Sequence, residues 1–243
     1  MAKALSEALG LDITRSKLRR FLKKLGYSWK RFRKSLYKLQ DEQAYNAKLK
    51  ELKDLIELEK ANYIDIFYAD ATGFNQNGYV PYGWQPINEY IHLTPQKGKT
   101  LQVFGFMSKD NRFEGYSCLS SLNSAAVIAF IDDFATTIRQ KTILVIDNAS
   151  IHHSQEFHNK IEEWNELDLY IFYLPTYSPH LNPIEILWRK MKYEWIEYEN
   201  IETFEELEQQ VIHILNNFGE NQKFSIQFNR VLLAKEKVSF IFE

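Results

Sequence analysis

The sequence predicts an α/β protein, a mixed sheet flanked by helices and preceded by a small helix-turn-helix or winged-helix-like segment. Three observations carry this. Short apolar, β-branched runs alternate with amphipathic helical stretches between residues 64 and 218, as in a sheet covered by helices. Two of the runs, Ile64–Ala69 and Lys141–Ile146, close on an acid, Asp70 and Asp147. In open α/β sheets ligands are held at the strands' C-terminal edge. Charge is also divided: twelve Lys/Arg face only Glu7 and Asp12 within residues 1–38, a local +10 that leaves −12 on the rest of a chain of net −2. A polyanion-binding head on an acidic body fits that split, because Lys/Arg that neutralise phosphates release counterions.

The head spans residues 1–40. A short segment, Ala2–Leu9, leads through Gly10 to a helix that Thr14 or Ser16 can cap. Leu18, Phe21, Leu22 and Leu25 recur at i, i+3, i+4 and i+7, and Gly26 supplies the stop. Arg15, Lys17, Arg19, Arg20, Lys23 and Lys24 decorate this helix, and Lys30, Arg31, Arg33 and Lys34 follow among aromatics in a predicted wing or strand. These ten are the candidate DNA-binding residues. Residues 41–60 form a linker helix with Tyr45, Leu49, Leu52 and Ile56 on one stripe.

The body, residues 61–220, begins with strand Ile64–Ala69, followed by a Gly/Pro/aromatic excursion at Gly78–Asn88. Thr100–Ser108 and Phe113–Leu119 read as strands around the turn Lys109-Asp110-Asn111. Val127, Phe130, Phe134 and Ile138 mark a helix face, with Asp132 and Asp133 expected to be solvated opposite it. The buried strand ending at Asp147 comes next, then a helix through Phe157, Ile161 and Trp164, and a strand at Leu169–Leu174. Asn182 as N-cap and Pro183 at N1 announce a helix with Glu185 in its first turn and Ile184, Leu187, Trp188, Met191 and Trp195 inward. Thr203 and Glu206 form a capping box for a last helix. Residues 221–243 are a C-terminal tail in which Val238–Phe242 has strand character.

Composition excludes several classes. One cysteine, Cys118, builds neither a disulfide framework nor a cysteine metal site, and no apolar stretch approaches the roughly 20 residues of a membrane span. A cytoplasmic location is expected.

Three acids share one kind of address: Asp70 and Asp147 at strand ends, and Glu185 at a helix start after a strand. Singly, each has an ordinary reading as a turn acid, an Asx turn or a capping-box partner that also pairs with Arg189. Together they match the needs of Mg²⁺, a hard cation bound by a few carboxylates plus substrate phosphate oxygens. Two such ions about 3.5 to 4 Å apart serve an in-line displacement at phosphorus. The adjacent His152 and His153 lack a cysteine partner for zinc. Ser150 near His152 and Asp147 lacks the Gly-x-Ser-x-Gly elbow of a nucleophile triad.

Tyr68-Ala69-Asp70, the block Leu144 to His152 (LVIDNASIH) and the block Leu174 to Glu185 (LPTYSPHLNPIE) with Trp188 and Lys192 resemble the IS630/Tc1-mariner-type transposases of insertion sequences. The resemblance covers about residues 15 to 215. It implies a DDE superfamily endonuclease with an RNase H-like catalytic domain, in which Asp70, Asp147 and Glu185 match the acidic triad that binds two Mg²⁺ ions, with Mn²⁺ as a substitute. Asn148, His152, Asn182, Arg189 and Lys192 become active-site neighbours. DNA, both terminal inverted repeats and target, becomes the partner, with a homodimer assembled on it and a nucleoid location. Ala71 departs from the glutamate common after the first acid, and only the second half of the family's paired helix-turn-helix region is evident. Two rival readings follow: a DNA-binding remnant that has lost mobility, and an RNase H-like nuclease of another kind.

Overall fold

The computed structural model describes residues 2–27, 41–75, 99–198, 201–220 and 224–226. The chain divides into two compact units, Met1–Leu39 and Gln40–Glu243. Four of the expected DNA-binding residues (Lys30, Arg31, Arg33, Lys34), the Gly78–Asn88 excursion and the Val238–Phe242 strand lie outside the described residues.

In the first unit, α1 (Ala2–Leu9) and α2 (Arg15–Lys24) are joined by a turn through Gly10, whose φ of +64° suits glycine. The turn is tied by Ser6, whose hydroxyl accepts the Ile13 N–H at 3.0 Å, and α2 is capped by Thr14, which accepts from Lys17 N–H. The stop falls at the glycine that the sequence places there. Gly26 takes φ +79°, and the Tyr27 N–H returns to the Leu22 carbonyl at 2.9 Å.

The second unit opens with α3 (Glu42–Lys60), capped by Asp41 and packed on the body through Leu52, with Tyr45, Leu49 and Ile56 alongside. Five strands follow: β1 (Asp65–Phe74), β2 (Leu101–Ser108), β3 (Phe113–Cys118), β4 (Thr142–Ile146) and β5 (Leu169–Tyr173). Their order is β3-β2-β1-β4-β5, antiparallel through β1, β2 and β3 and parallel through β1, β4 and β5. This is the mixed sheet expected of an RNase H-like domain. β4 is flanked by β1 and β5 and buried at every position, which is why its sequence, TILVI, shows no alternation.

Helices cover both faces. α4 (Ser124–Thr137) and α5 (Gln155–Glu166) pack on the side formed by Phe67, Ala69, Phe104, Phe106, Leu144 and Ile146. On the other side, α3, α6 (Ile184–Lys190, continuing as a π turn over Met191–Trp195) and α7 (Phe204–Asn216) meet Ile66, Tyr68, Val103, Met107, Ile143 and Val145. The capping box of Thr203 and Glu206 at the start of α7 is present.

Three local expectations need correction. β1 does not stop before Asp70 but runs on to Phe74, because β2 keeps pairing with it, Asp70 opposite Gly105, after the pairing with β4 has ended. Asn182 does not cap α6: the helix starts from Pro183, and the Asn182 amide donates instead to the Ala69 carbonyl at 3.1 Å. Asp132 and Asp133 are not merely solvated, since Asp132 accepts the Trp164 indole N–H and Asp133 the Tyr116 hydroxyl, both at 2.8 Å.

Candidate active site

Register brings the first two acids together. β1 and β4 run parallel, Tyr68 level with Val145 at their last pair; Asp70 lies two residues further along β1, and Asp147 just past the end of β4. Neighbouring strands are about 4.8 Å apart. Alternation decides the face of Asp70, which follows Ile66 and Tyr68 of the core under α6, and Asp147 is near enough for its charge to act on both Asp70 and Glu185. Glu185 belongs to the first turn of that same helix. The three acids therefore gather within reach of one another's charge.

Each is held by named neighbours. Asp70 Oδ2 accepts the Trp188 indole N–H at 3.1 Å, and the carboxylate also accepts the Ala71 backbone N–H. Asp147 Oδ1 accepts the Ala149 N–H at 3.1 Å and lies 3.3 Å from His152 Nε2. The loop after Asp147 is pinned from β5, where Asn148 donates to the Leu174 carbonyl at 3.0 Å and the Tyr173 hydroxyl to that of His152 at 2.9 Å. His153 stacks on Tyr173 and also meets the Asn148 side-chain oxygen. Asn182 joins the loop before α6 to β1 beside Asp70. Lys192 rests over the Phe74 ring, 5.6 Å from its centroid, and Arg189 is exposed on α6.

The electrostatics are those of a crowded anionic site. Desolvation pushes the Asp70 carboxyl up to about 8, helped by the negative charge of Glu185 and then of Asp147, against the Ala71 and Trp188 donors. Glu185 is raised by the protein mass around it and by Asp147, with Lys192 opposing, although its own surface is exposed. Asp147 is lowered, first by the His152 hydrogen bond. Thus the acid deepest among its neighbours resists ionisation, and Asp147, just past β4, favours it.

The donor set fits hard divalent ions, being all carboxylate oxygen. Two buried polar atoms beside it, Asn182 Oδ1 and His152 Nδ1, have no hydrogen-bond partner among the described residues. Among those residues no three acid, imidazole or thiol groups converge tightly enough to grip an ion by themselves. A bound divalent cation would offset the repulsion among the three carboxylates once all are ionised. A groove of about 770 Å³ between β3 and α7, lined by Asn111, Phe113, Tyr116, Ile212 and Phe218, contains none of the three.

From sequence, Trp188 reads as an inward apolar residue and as one of those that carry the family resemblance, and its bond to Asp70 is the detail that periodicity misses. Its spacing of three from Glu185 is the visible signal, since it puts both on one helical face.

Comparison with known proteins agrees with the fold. Residues 65–208 match the profile of the DDE superfamily endonucleases, and residues 1–52 that of a winged helix-turn helix. Over 196 residues the chain is 26% identical to an uncharacterized 39 kDa protein of insertion element IS630 from Shigella sonnei, covering 79% of this chain and 55% of that one. It thus spans about half the length of that relative. Among solved structures it is similar to the Mos1 strand transfer complex (TM-score 0.57, 14% identity, 90% of this chain, 66% of that one). It also resembles the Mos1 mariner paired end complex with Mn (TM-score 0.58, 15% identity, 88% and 66%). No helix among the described residues is long and apolar enough to cross a membrane.

Proposed function

The chain belongs to the DDE superfamily endonucleases, and from that premise we propose that it acts as an insertion-sequence transposase, cutting and joining DNA strands with Asp70, Asp147 and Glu185 as its catalytic acids. The observation that carries the reading is the gathering of the acids: one on β1, one just past the end of the adjacent parallel strand β4, and a third on the helix packed over that side, with their charges acting on one another. A structural role alone does not explain why a half-buried Asp70 is kept beside Glu185 and Asp147 at a cost to its own ionisation.

The three carboxylates would hold two divalent ions, Mg²⁺ or Mn²⁺; Mos1 paired end complexes exist with each. Such ions, when bound, activate the attacking oxygen and offset charge on the leaving one in phosphodiester cleavage and strand transfer. The chain's own groups orient and neutralise. His152 and the Ala149 N–H hold Asp147 ionised, Asn182 ties the Glu185 helix to the strand of Asp70, and Lys192 with Arg189 offers positive charge to nearby phosphates. In the head, Arg15, Lys17, Arg19, Arg20, Lys23 and Lys24 on α2 would grip the element's terminal DNA, with a homodimer assembled on it.

Asp147→Asn is the direct test. It should abolish Mg²⁺-dependent cleavage of DNA carrying element ends while leaving DNA affinity intact. Undiminished cleavage would refute the assignment, and failure of the wild type to cut any such end would favour a DNA-binding remnant.

A further inference from the structure

The Asp70 carboxylate sits opposite a missing side chain. Its cross-strand partner on β2 is Gly105, and the partner of Gly105 on β3 is Gly115, so a bare track crosses two strands on the face of the acids. Aromatic rings fill the track. A Cβ on Gly105 would come within 2.6 Å of the Phe113 ring and 2.9 Å of Trp188 Cη2, and one on Gly115 would also strike Phe113. Phe74 and Phe113 meet the Trp188 ring edge to face, at 6.4 Å and 6.1 Å between centroids. Walled in this way, and 2% exposed, the indole holds Nε1 3.1 Å from Asp70 Oδ2 and donates to it.

We propose that Trp188 is a positioning residue, which fixes the plane of the Asp70 carboxylate for a divalent cation by occupying Oδ2 from a seat that Gly105 makes possible. The inference rests on the reading of Asp70 as a metal ligand. Trp188 need touch neither DNA nor ion, because it acts through Asp70. Being one helical turn beyond Glu185, it links the placement of two acids to a single rigid helix. A tryptophan whose N–H merely satisfies the core would leave cation affinity untouched, whereas partners that orient metal ligands typically change it by roughly 10- to 100-fold.

The test is Mn²⁺ titration of the full chain, followed by electron paramagnetic resonance of the free ion, for wild type, Trp188→Phe and Asp147→Asn. Phenylalanine keeps an aromatic ring in the seat and removes the donor. Trp188→Phe should weaken Mn²⁺ binding by about tenfold with DNA affinity unchanged, and Asp147→Asn should remove most of it. If Asp147→Asn loses binding and Trp188→Phe titrates like wild type, the positioning role is overturned and the site reading survives. If Asp147→Asn itself titrates like wild type, the site reading falls. Should Trp188→Phe not fold, the wild type supplies the answer through the ¹⁵N–¹H signals of its five indoles. One of them should move both on adding Mg²⁺ and in Asp70→Asn, and no common shift would overturn the proposal.

Discussion

Asp70 illustrates how a single residue sets function against stability. Its carboxyl is raised from an ordinary value near 3.8 to about 8 by desolvation and by Glu185 and Asp147, so in the cation-free folded chain it holds a proton that the unfolded chain gives up. A raised folded value contributes stability that is complete below about pH 4 and is lost as pH rises through about 8. Asp70→Asn lacks this dependence and can still accept from Trp188. In the presence of a chelator it should therefore match wild type near pH 4 and exceed it by about 2 kcal/mol near pH 9, or roughly 4–8 °C in melting temperature. Addition of Mg²⁺ should narrow the gap by stabilising wild type alone. Equal melting curves near pH 9 would show that Asp70 is not strained by its neighbours.

Among the elements, α6 is the one on which the site depends, and its start is secured differently from the sequence's suggestion. Asn182 has the position of an N-cap, yet its side chain crosses to Ala69 and stitches the helix entrance to β1. Asn182→Ala would leave a buried carbonyl unpaired and should cost about 1–2 kcal/mol, read as a lower midpoint in urea at unchanged slope. An unchanged midpoint would mean the tie is energetically idle. By contrast, the Thr203–Glu206 box at the head of α7 is legible because capping is local: both partners lie within one turn. The Asn182 tie spans 113 residues and requires the sheet to exist first.

For the whole molecule the division of charge is the dominant fact. Residues 1–38 carry +10 and the remainder −12, so the proposed grip on DNA falls mainly to the head. Replacing Arg19, Arg20, Lys23 and Lys24 with glutamine should flatten the plot of log affinity against log salt by roughly 0.9 for each phosphate left without its cation. An unchanged slope would mean that DNA is held by other residues. Within the second unit, local patterns foretell most elements: the strands at β2, β3, β4 and β5, the inward faces of α3 and α5, the capping box of α7, and the acid that follows β4. The length of β1 is not legible, because its last stretch of pairing is decided by β2 and not by its own residues.

By itself the sequence determined what is local or compositional: the α/β alternation, the basic head, the caps of α2 and α7, and the three acids as candidates. Tertiary structure alone decided that the ends of β1 and β4 bring Asp70 and Asp147 near each other, that Glu185 joins them from α6, and that a glycine opposite Asp70 admits the Trp188 indole. The reason is that periodicity reports which side of its own strand or helix a residue occupies, whereas strand register and helix docking, which turn separate residues into a site, arise from long-range pairing that no short window of sequence contains.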